Sequence, residues 1–354
     1  MAKRPALSRV VIPLTLLAVF LAVVGGSFAA LTLFDGGQRT GRCTASGLST
    51  SHSYSTEQTL NAATISAVSI DMGLPPRAAS IALATAYQES KLKNIDYGDR
   101  DSVGLFQQRP SQGWGTKEQI MDPVFASTAF YEKLAKVKGY EDMDITVAAQ
   151  KVQRSAFPDA YADHEVEGRL FSSALTGNSG PELECDLAAA GGPAHPEKLR
   201  ESLAREFTRM SESGEVKSSL GAAGSNAPQG AGHTTVVIKT ADEKRGWALA
   251  NWAVAHAAQD NIVGVDYRGH RWDRSRHVSQ TSSQWDSDAT GGASGEDDAV
   301  VIYFAKGGVR HGRSLGYLAL FSRAFSSSRR SWSRSSDVPV RSSIGTYARS
   351  ASPV

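Results

Sequence analysis

An alanine-rich run that ends in a glutamate constrains the fold more than any other part of this chain. Pro75 and Pro76 precede the run, and a proline is tolerated in the first turn of a helix because its missing N–H would have no partner there. The sequence therefore predicts a helix from Pro76 to about Lys91. Small and mostly apolar residues share the helical face of Glu89, so we expect its carboxylate to be poorly solvated. Poor solvation raises a carboxyl pKa, which suits a general acid at neutral pH.

A polar loop with several glycines follows this predicted helix. It contains Asp99 and Asp101 and leads into the segment 104–107, which reads Gly-Leu-Phe-Gln. The side-chain amides of Gln107 and Gln108 offer both donors and acceptors, which suits the hydroxyl and acetamido groups of a sugar. The two glutamines are therefore candidates for polar contacts with a ligand.

Three segments together resemble the lysozyme-like superfamily. Glu89-Ser90 at a helix end, followed by the 104–107 segment, is similar to the lytic transglycosylases and goose-type lysozymes, in which Glu-Ser precedes Gly-Leu-Met-Gln; Phe106 stands in place of that Met. The stretch 97–100 is similar to the goose-type pattern in particular. The stretch 152–161 resembles lysozyme-like domains of actinobacterial and phage cell-wall proteins. The resemblance covers residues 56–175.

The resemblance implies a mainly α-helical lysozyme-like domain that cuts the β-1,4 bond between N-acetylmuramic acid and N-acetylglucosamine in peptidoglycan. Glu89 is then the general acid and base. A hydrolase usually needs a second carboxylate, for which Asp99 and Asp101 are the candidates, whereas a transglycosylase needs one carboxylate. The resemblance leaves lysozyme and lytic transglycosylase both open. The residues that it implies in substrate binding are Ser90, Gln107, Gln108, Gln153 and Tyr161.

The N-terminus carries a long apolar run without charge. Residues 10–34 are long enough for a bilayer core, which needs about 20 residues. Basic residues within 1–9 predict a cytoplasmic N-terminus and an extracytoplasmic remainder, as a single-pass membrane protein. A cleaved signal peptide that ends near Ser27–Ala29 is the alternative.

The two cysteines bracket the proposed catalytic domain. Cys43 and Cys185 are expected to form a disulfide, because both membrane interpretations place the domain in a disulfide-permitting compartment; two separate buried thiols are the alternative. Composition and periodicity then divide the chain further. The expected segments are a linker over 35–54, the lysozyme-like domain over 55–178, a linker with one short helix over 179–233, a small α+β domain over 234–306 and a disordered Ser/Arg-rich tail over 307–354.

Charge and histidine spacing limit the possible partners. The formal net charge of +2 predicts no nucleic-acid partner. No cofactor is expected, and His256, His270 and His277 lack the spacing of metal ligands, which predicts no metal site. The expected partners are peptidoglycan glycan strands and the membrane through residues 10–34; protein partners stay open. The alternative function is an inactive peptidoglycan-binding or cell-envelope scaffold module.

Overall fold

A computed structural model describes residues 41–47, 49–154, 159–240, 242–276, 283–287 and 298–307. The expected anchor over 10–34 and nearly all of the expected tail lie outside these ranges. Within them, no helix combines the length and the apolar character that a membrane crossing requires. The described residues form helices and two β-sheets, which agrees with the expectation of helical and mixed parts.

The nine helices of the described ranges, in chain order, are α1 Thr56–Asp71, α2 Pro76–Ser90, α3 Lys117–Ile120, α4 Pro123–Leu134, α5 Ile145–Gln153, α6 Glu165–Leu175, α7 Pro196–Glu206, α8 Thr208–Ser213 and α9 Glu243–Asp260. Short 3-10 turns lie at Pro110–Gln112, Tyr140–Asp142 and Ala162–His164. The strands are β1 Arg42–Gly47, β2 Thr50–Ser55, β3 Leu183–Asp186, β4 Lys217–Ala222, β5 Ala231–Lys239, β6 Ile262–Tyr267, β7 His270–Asp273, β8 Trp285–Asp286 and β9 Ala299–Ala305.

Local capping chemistry explains where the early helices begin. Ser55 caps α1, and Gln58 closes the capping box from three residues on. Asp122 accepts hydrogen bonds from the first backbone N–H groups of α4, and Pro123 occupies its first turn. The predicted helix that starts at Pro76 is confirmed.

A three-stranded antiparallel sheet with the order β2-β1-β3 includes most of the described part of the expected linker over 35–54. Cys43 of β1 lies directly opposite Cys185 of β3, and the two form the expected disulfide, with Cα atoms 3.9 Å apart. The Gly-, Ser- and Thr-rich composition of β1 and β2 suggested a tether. These strands form because β3, which comes from the far end of the helical part, supplies a partner for β1.

The expectation of a linker over 179–233 is also wrong for its secondary structure. This stretch holds β3, α7, α8, β4 and the start of β5. Leu199, Leu203 and Met210 are buried, so the charged helical stretch packs as an amphipathic element. The Asp71 side chain at the end of α1 accepts a 3.0 Å hydrogen bond from the Met210 N–H.

The α+β part is a six-stranded antiparallel sheet, with α9 packed against β6 and β9. Its strand order is β4-β5-β9-β6-β7-β8. A hairpin joins β6 and β7 through Arg268 and Gly269, both with positive φ, at +47° and +77°. The sheet begins earlier than expected, because β4 and the start of β5 precede residue 234.

The helical and α+β parts share one hydrophobic core. A continuous cluster of buried side chains includes Ile65 of α1, Leu203 of α7 and Trp252 of α9. The Trp252 indole N–H donates a 2.8 Å hydrogen bond to Glu206, a carboxyl whose pKa is raised by burial. The core therefore extends through the segment that composition had marked as a linker.

Candidate active site

Glu89 occupies the last turn of α2. The chain leaves the helix through two consecutive left-handed residues, Lys91 and Leu92, both with φ of +56°. The neighbours of Glu89 on its helical face, Ala82, Thr85 and Ala86, are fully buried. Glu89 itself is half-buried, so its carboxyl has apolar surroundings on the side of the helix.

Tyr161 contacts Glu89 directly. Its hydroxyl donates a 2.6 Å hydrogen bond to Glu89 Oε1, and its side chain is fully buried. Burial raises the pKa of Glu89, and hydrogen bonds from the side chains of Tyr161 and Gln153 oppose that rise. The expected direction of the pKa of Glu89 is confirmed, and its cause is the expected desolvation.

The side chains of Gln153 and Ser90 hydrogen-bond to backbone carbonyl oxygens of the turn at 104–107. Gln153 Nε2 donates to the Phe106 carbonyl oxygen at 2.7 Å. Ser90 Oγ lies 2.8 Å from the Leu105 carbonyl oxygen and is buried with the rest of the residue. Two of the segments that carry the family resemblance therefore meet at the end of α2. Ser90 holds the 104–107 turn against the helix end, and its burial leaves little surface that a ligand could contact.

The two glutamines at 107 and 108 point to different environments. Gln107 is half-buried, has φ of +46°, and donates from Nε2 to the Tyr97 carbonyl oxygen at 3.2 Å. Gln108 is 1 % exposed, and its Nε2 donates to the Ala126 carbonyl oxygen at 3.0 Å. Gln107 thus lies partly exposed in the loop. Gln108 packs inside, where its amide supports α4.

Two glycines make the close contacts of this loop possible. An ideal Cβ at Gly98 would lie 1.9 Å from Gln107 Oε1. Gly104 has φ of +78°, and a Cβ there would lie 2.8 Å from the Ile120 carbonyl oxygen. A side chain at either position would displace the turn that Gln153 and Ser90 hold.

The candidates for a second carboxylate take up contrasting positions. The Asp99 side chain is 89 % exposed and lies 3.9 Å from the Arg100 guanidinium. Asp101 accepts from the Ser111 backbone N–H at 2.8 Å and from Arg109 Nε at 2.7 Å. These hydrogen bonds, led by the one from Ser111, hold the pKa of Asp101 well below its usual range. Asp101 is a loop-stabilising carboxylate, and Asp99 faces water.

A cluster near the end of α2 was missed by the sequence analysis. His164 follows the Tyr161 turn, and its ring nitrogens face Gln88 Oε1 at 2.9 Å and Glu167 Oε1 at 2.7 Å. The Tyr87 and His164 rings lie 4.7 Å apart between centroids. A histidine three residues after Tyr161 was the available signal. The cluster fixes the turn that carries Tyr161 against the end of α2.

Comparisons with known proteins add no family to this geometry. A scan against protein-family models finds none that matches the chain, and no curated protein matches it. In the ranges that the structure describes, His, Cys, Asp and Glu side chains form no group of three or more that could hold a metal ion.

Proposed function

We propose that this chain is a membrane-anchored, extracytoplasmic enzyme that cleaves peptidoglycan between N-acetylmuramic acid and N-acetylglucosamine, with Glu89 as general acid and base. One observation supports this proposal above the others. The half-buried Glu89 carboxyl, whose pKa is raised by burial, accepts a hydrogen bond from Tyr161 and is joined through Gln153 to the 104–107 turn. Three separate parts of the sequence thus converge on one protonatable group.

The chemistry begins with protonation of the leaving oxygen. The Glu89 carboxyl donates its proton to the glycosidic oxygen as the bond from that oxygen to the anomeric carbon of the muramyl residue breaks. The resulting carboxylate is stabilised by the Tyr161 hydroxyl and by Gln153, the two groups that oppose the rise in its pKa. Glu89 can then accept a proton from the nucleophile that attacks the anomeric carbon.

The arrangement of the acidic loop favours a lytic transglycosylase over a lysozyme. Asp101 is engaged by Arg109 and Ser111, and Asp99 is exposed, so neither is held beside Glu89 by the contacts described. In a transglycosylase the C6 hydroxyl of the muramyl residue attacks its own anomeric carbon, and the Glu89 carboxylate removes the hydroxyl proton. The product is a 1,6-anhydro end, and no second carboxylate is required.

The location is inferred from two features. The apolar run over 10–34 is the proposed anchor, and it lies outside the residues that the structure describes. The Cys43–Cys185 disulfide supports an extracytoplasmic compartment, since structural disulfides persist mainly in oxidising environments.

A peptidoglycan gel assay with the full chain tests the proposal. We expect wild type to clear the gel and Glu89→Gln to lose clearing, while the matched control Glu132→Gln, at an exposed position of α4, stays active. Mass spectrometry of the released fragments separates the two enzyme classes: an anhydro end is lighter by one water than a reducing end. Equal clearing by wild type and Glu89→Gln would refute an enzymatic role for Glu89. Retention on purified sacculi without release of fragments would favour the binding module instead.

A further inference from the structure

A buried tryptophan has a lysine over one face of its ring. Lys133 Nζ lies 3.0 Å from the centroid of the Trp114 ring, and Trp114 is 7 % exposed. A cation over an indole face is attracted by the ring quadrupole. The contact takes up that face, which makes Trp114 a poor sugar-stacking platform and fixes the position of the Lys133 ammonium group.

Two further cations act on Lys133; one of them, Lys136, donates its backbone N–H to the Lys133 carbonyl oxygen at 3.2 Å. Burial lowers the pKa of Lys133, and the positive charges of Arg154 and Lys136 lower it further. Arg154 ends α5 in the left-handed conformation, with φ of +55°, and both Arg154 and Lys136 are exposed. In the part of the chain that the structure describes, none of the three pairs with a carboxylate. The two neighbouring positive charges repel this partly buried ammonium, so an anion would stabilise the cluster of three cations.

A series of packing contacts connects this cluster to the candidate active site. Arg154 directly follows Gln153, which holds the Phe106 carbonyl oxygen. The Phe106 ring stacks on Phe130 with centroids 4.7 Å apart, and Lys133 lies one turn beyond Phe130 in α4. The packing that positions the 104–107 turn therefore also positions the cations at its border.

We propose that Lys133, Lys136 and Arg154 form a subsite for the carboxylates of the peptide substituent on the glycan strand. The subsite rests on the proposed function, since it identifies which substituent of peptidoglycan the enzyme recognises. The uncharged N-acetylglucosamine has no group that matches three cations, whereas a peptide on the muramyl residue carries free carboxylates. The Arg154 guanidinium can hold a carboxylate through two parallel hydrogen bonds, and the two lysines add point charges.

The test measures binding separately from cleavage. Full-length Glu89→Gln protein in detergent is titrated calorimetrically with two probes: a disaccharide-tetrapeptide from peptidoglycan, and the same disaccharide after amidase removal of the peptide. We expect Lys133→Met with Arg154→Gln to weaken binding of the first probe about 10-fold and to leave the second unchanged. The matched control, Lys117→Met with Lys198→Met, removes the same charge at exposed positions and should bind both probes as the parent does.

Each outcome bears on the subsite alone. Equal weakening with both probes, unchanged binding of the peptide probe, or the same loss in the control would overturn the subsite. Gel clearing by wild type together with peptide-independent binding would refute the subsite and leave the proposed function standing. Charge-dependent binding of the peptide probe without any clearing would support the subsite and refute the enzyme.

Discussion

Replacing Tyr161 by phenylalanine removes from the candidate site only the hydroxyl that donates a 2.6 Å hydrogen bond to Glu89 Oε1. The ring is kept, and its position is fully buried, so we expect the surrounding packing to persist. The change therefore isolates the effect of one donor on one carboxyl. We expect the pKa of Glu89, already raised by burial, to rise further in the variant.

The size of this effect follows from the difference between two hydrogen bonds. A bond to a charged group contributes about 1.5–3 kcal/mol, and a neutral one about 0.5–1.5 kcal/mol. The tyrosine hydroxyl can donate to either form of the carboxyl, so its loss penalises the ionised form by roughly 1–1.5 kcal/mol. At a given pH, the ratio of ionised to protonated Glu89 should be about 5- to 12-fold lower in Tyr161→Phe than in wild type.

Carbon-13 NMR titration of the glutamate carboxyls measures this ratio, with the Glu89 signal identified by its loss in Glu89→Gln. The pH profile of cleavage should shift in the same direction, because activity that needs protonated Glu89 declines as pH rises through its pKa. The alkaline limb of the pH–activity profile of Tyr161→Phe should therefore lie at higher pH than that of wild type. Tyr131→Phe is the matched control, since the buried Tyr131 hydroxyl donates to the Ile65 carbonyl oxygen at 3.0 Å. Identical titration of Glu89 in wild type and Tyr161→Phe would refute the reasoning.

Three further predictions concern the loop and stability. Gly104→Ala, with φ of +78° and a close backbone carbonyl, should lower Tm by at least about 2 °C more than Gly113→Ala, which has φ of +73° and open space; equal melting would contradict this. Joint replacement of Cys43 and Cys185 by serine removes a cross-link over 142 residues. In the chain-entropy model, the free energy of unfolding measured in urea should fall by about 4–5 kcal/mol. An unchanged free energy of unfolding would show that the bridge is absent. Asp101 has a lowered pKa, so its ionised form stabilises the fold above the ordinary aspartate pKa, and this stability is lost as pH falls through the lowered value. The Tm of Asp101→Asn should therefore fall less on acidification than the Tm of wild type. An equal fall in Tm for both proteins would argue against the loop contacts.

Helix positions were predictable because their signals are local. The Ser55 cap with its Gln58 partner, Pro76 in the first turn of α2, and Asp122 before Pro123 each act within a few residues. Such signals need no knowledge of distant contacts. The same holds for the hairpin at Gly269, where the turn itself requires positive φ.

The pairing of β1 with β3 was not predictable in this way. The two strands lie far apart in the sequence, and the composition of β1 is that of a flexible tether. The cysteines at positions 43 and 185 were the one sequence signal that joined them, and it predicted the disulfide without predicting the strands. The stretch 179–233 was misjudged for a related reason, since the burial of Leu199 and Leu203 depends on partners in α1 and α9.

The residues of the candidate site stay a prediction, and the directions of their side chains could not be predicted. The resemblance named Glu89, Gln107, Gln153 and Tyr161, but spacing cannot show which side chains face the interior. Two left-handed residues after Ser90 turn the chain, and that turn directs the Ser90 hydroxyl to a backbone carbonyl. The backbone path therefore has to be known before a polar residue of a motif can be assigned to ligand contact or to internal support.

The Tyr161 hydroxyl is suited to a carboxyl that must hold a proton and then accept one. Burial alone favours the protonated form of Glu89 and makes it a weaker acid toward the leaving oxygen, because it raises the pKa of the carboxyl. A donor at 2.6 Å offsets part of that cost for the ionised form, so the two protonation states become closer in free energy. A single carboxyl that alternates between acid and base benefits from this balance, whereas an enzyme with a separate base has less need of it. The contacts around Glu89 are thus consistent with the one-carboxylate mechanism that we propose.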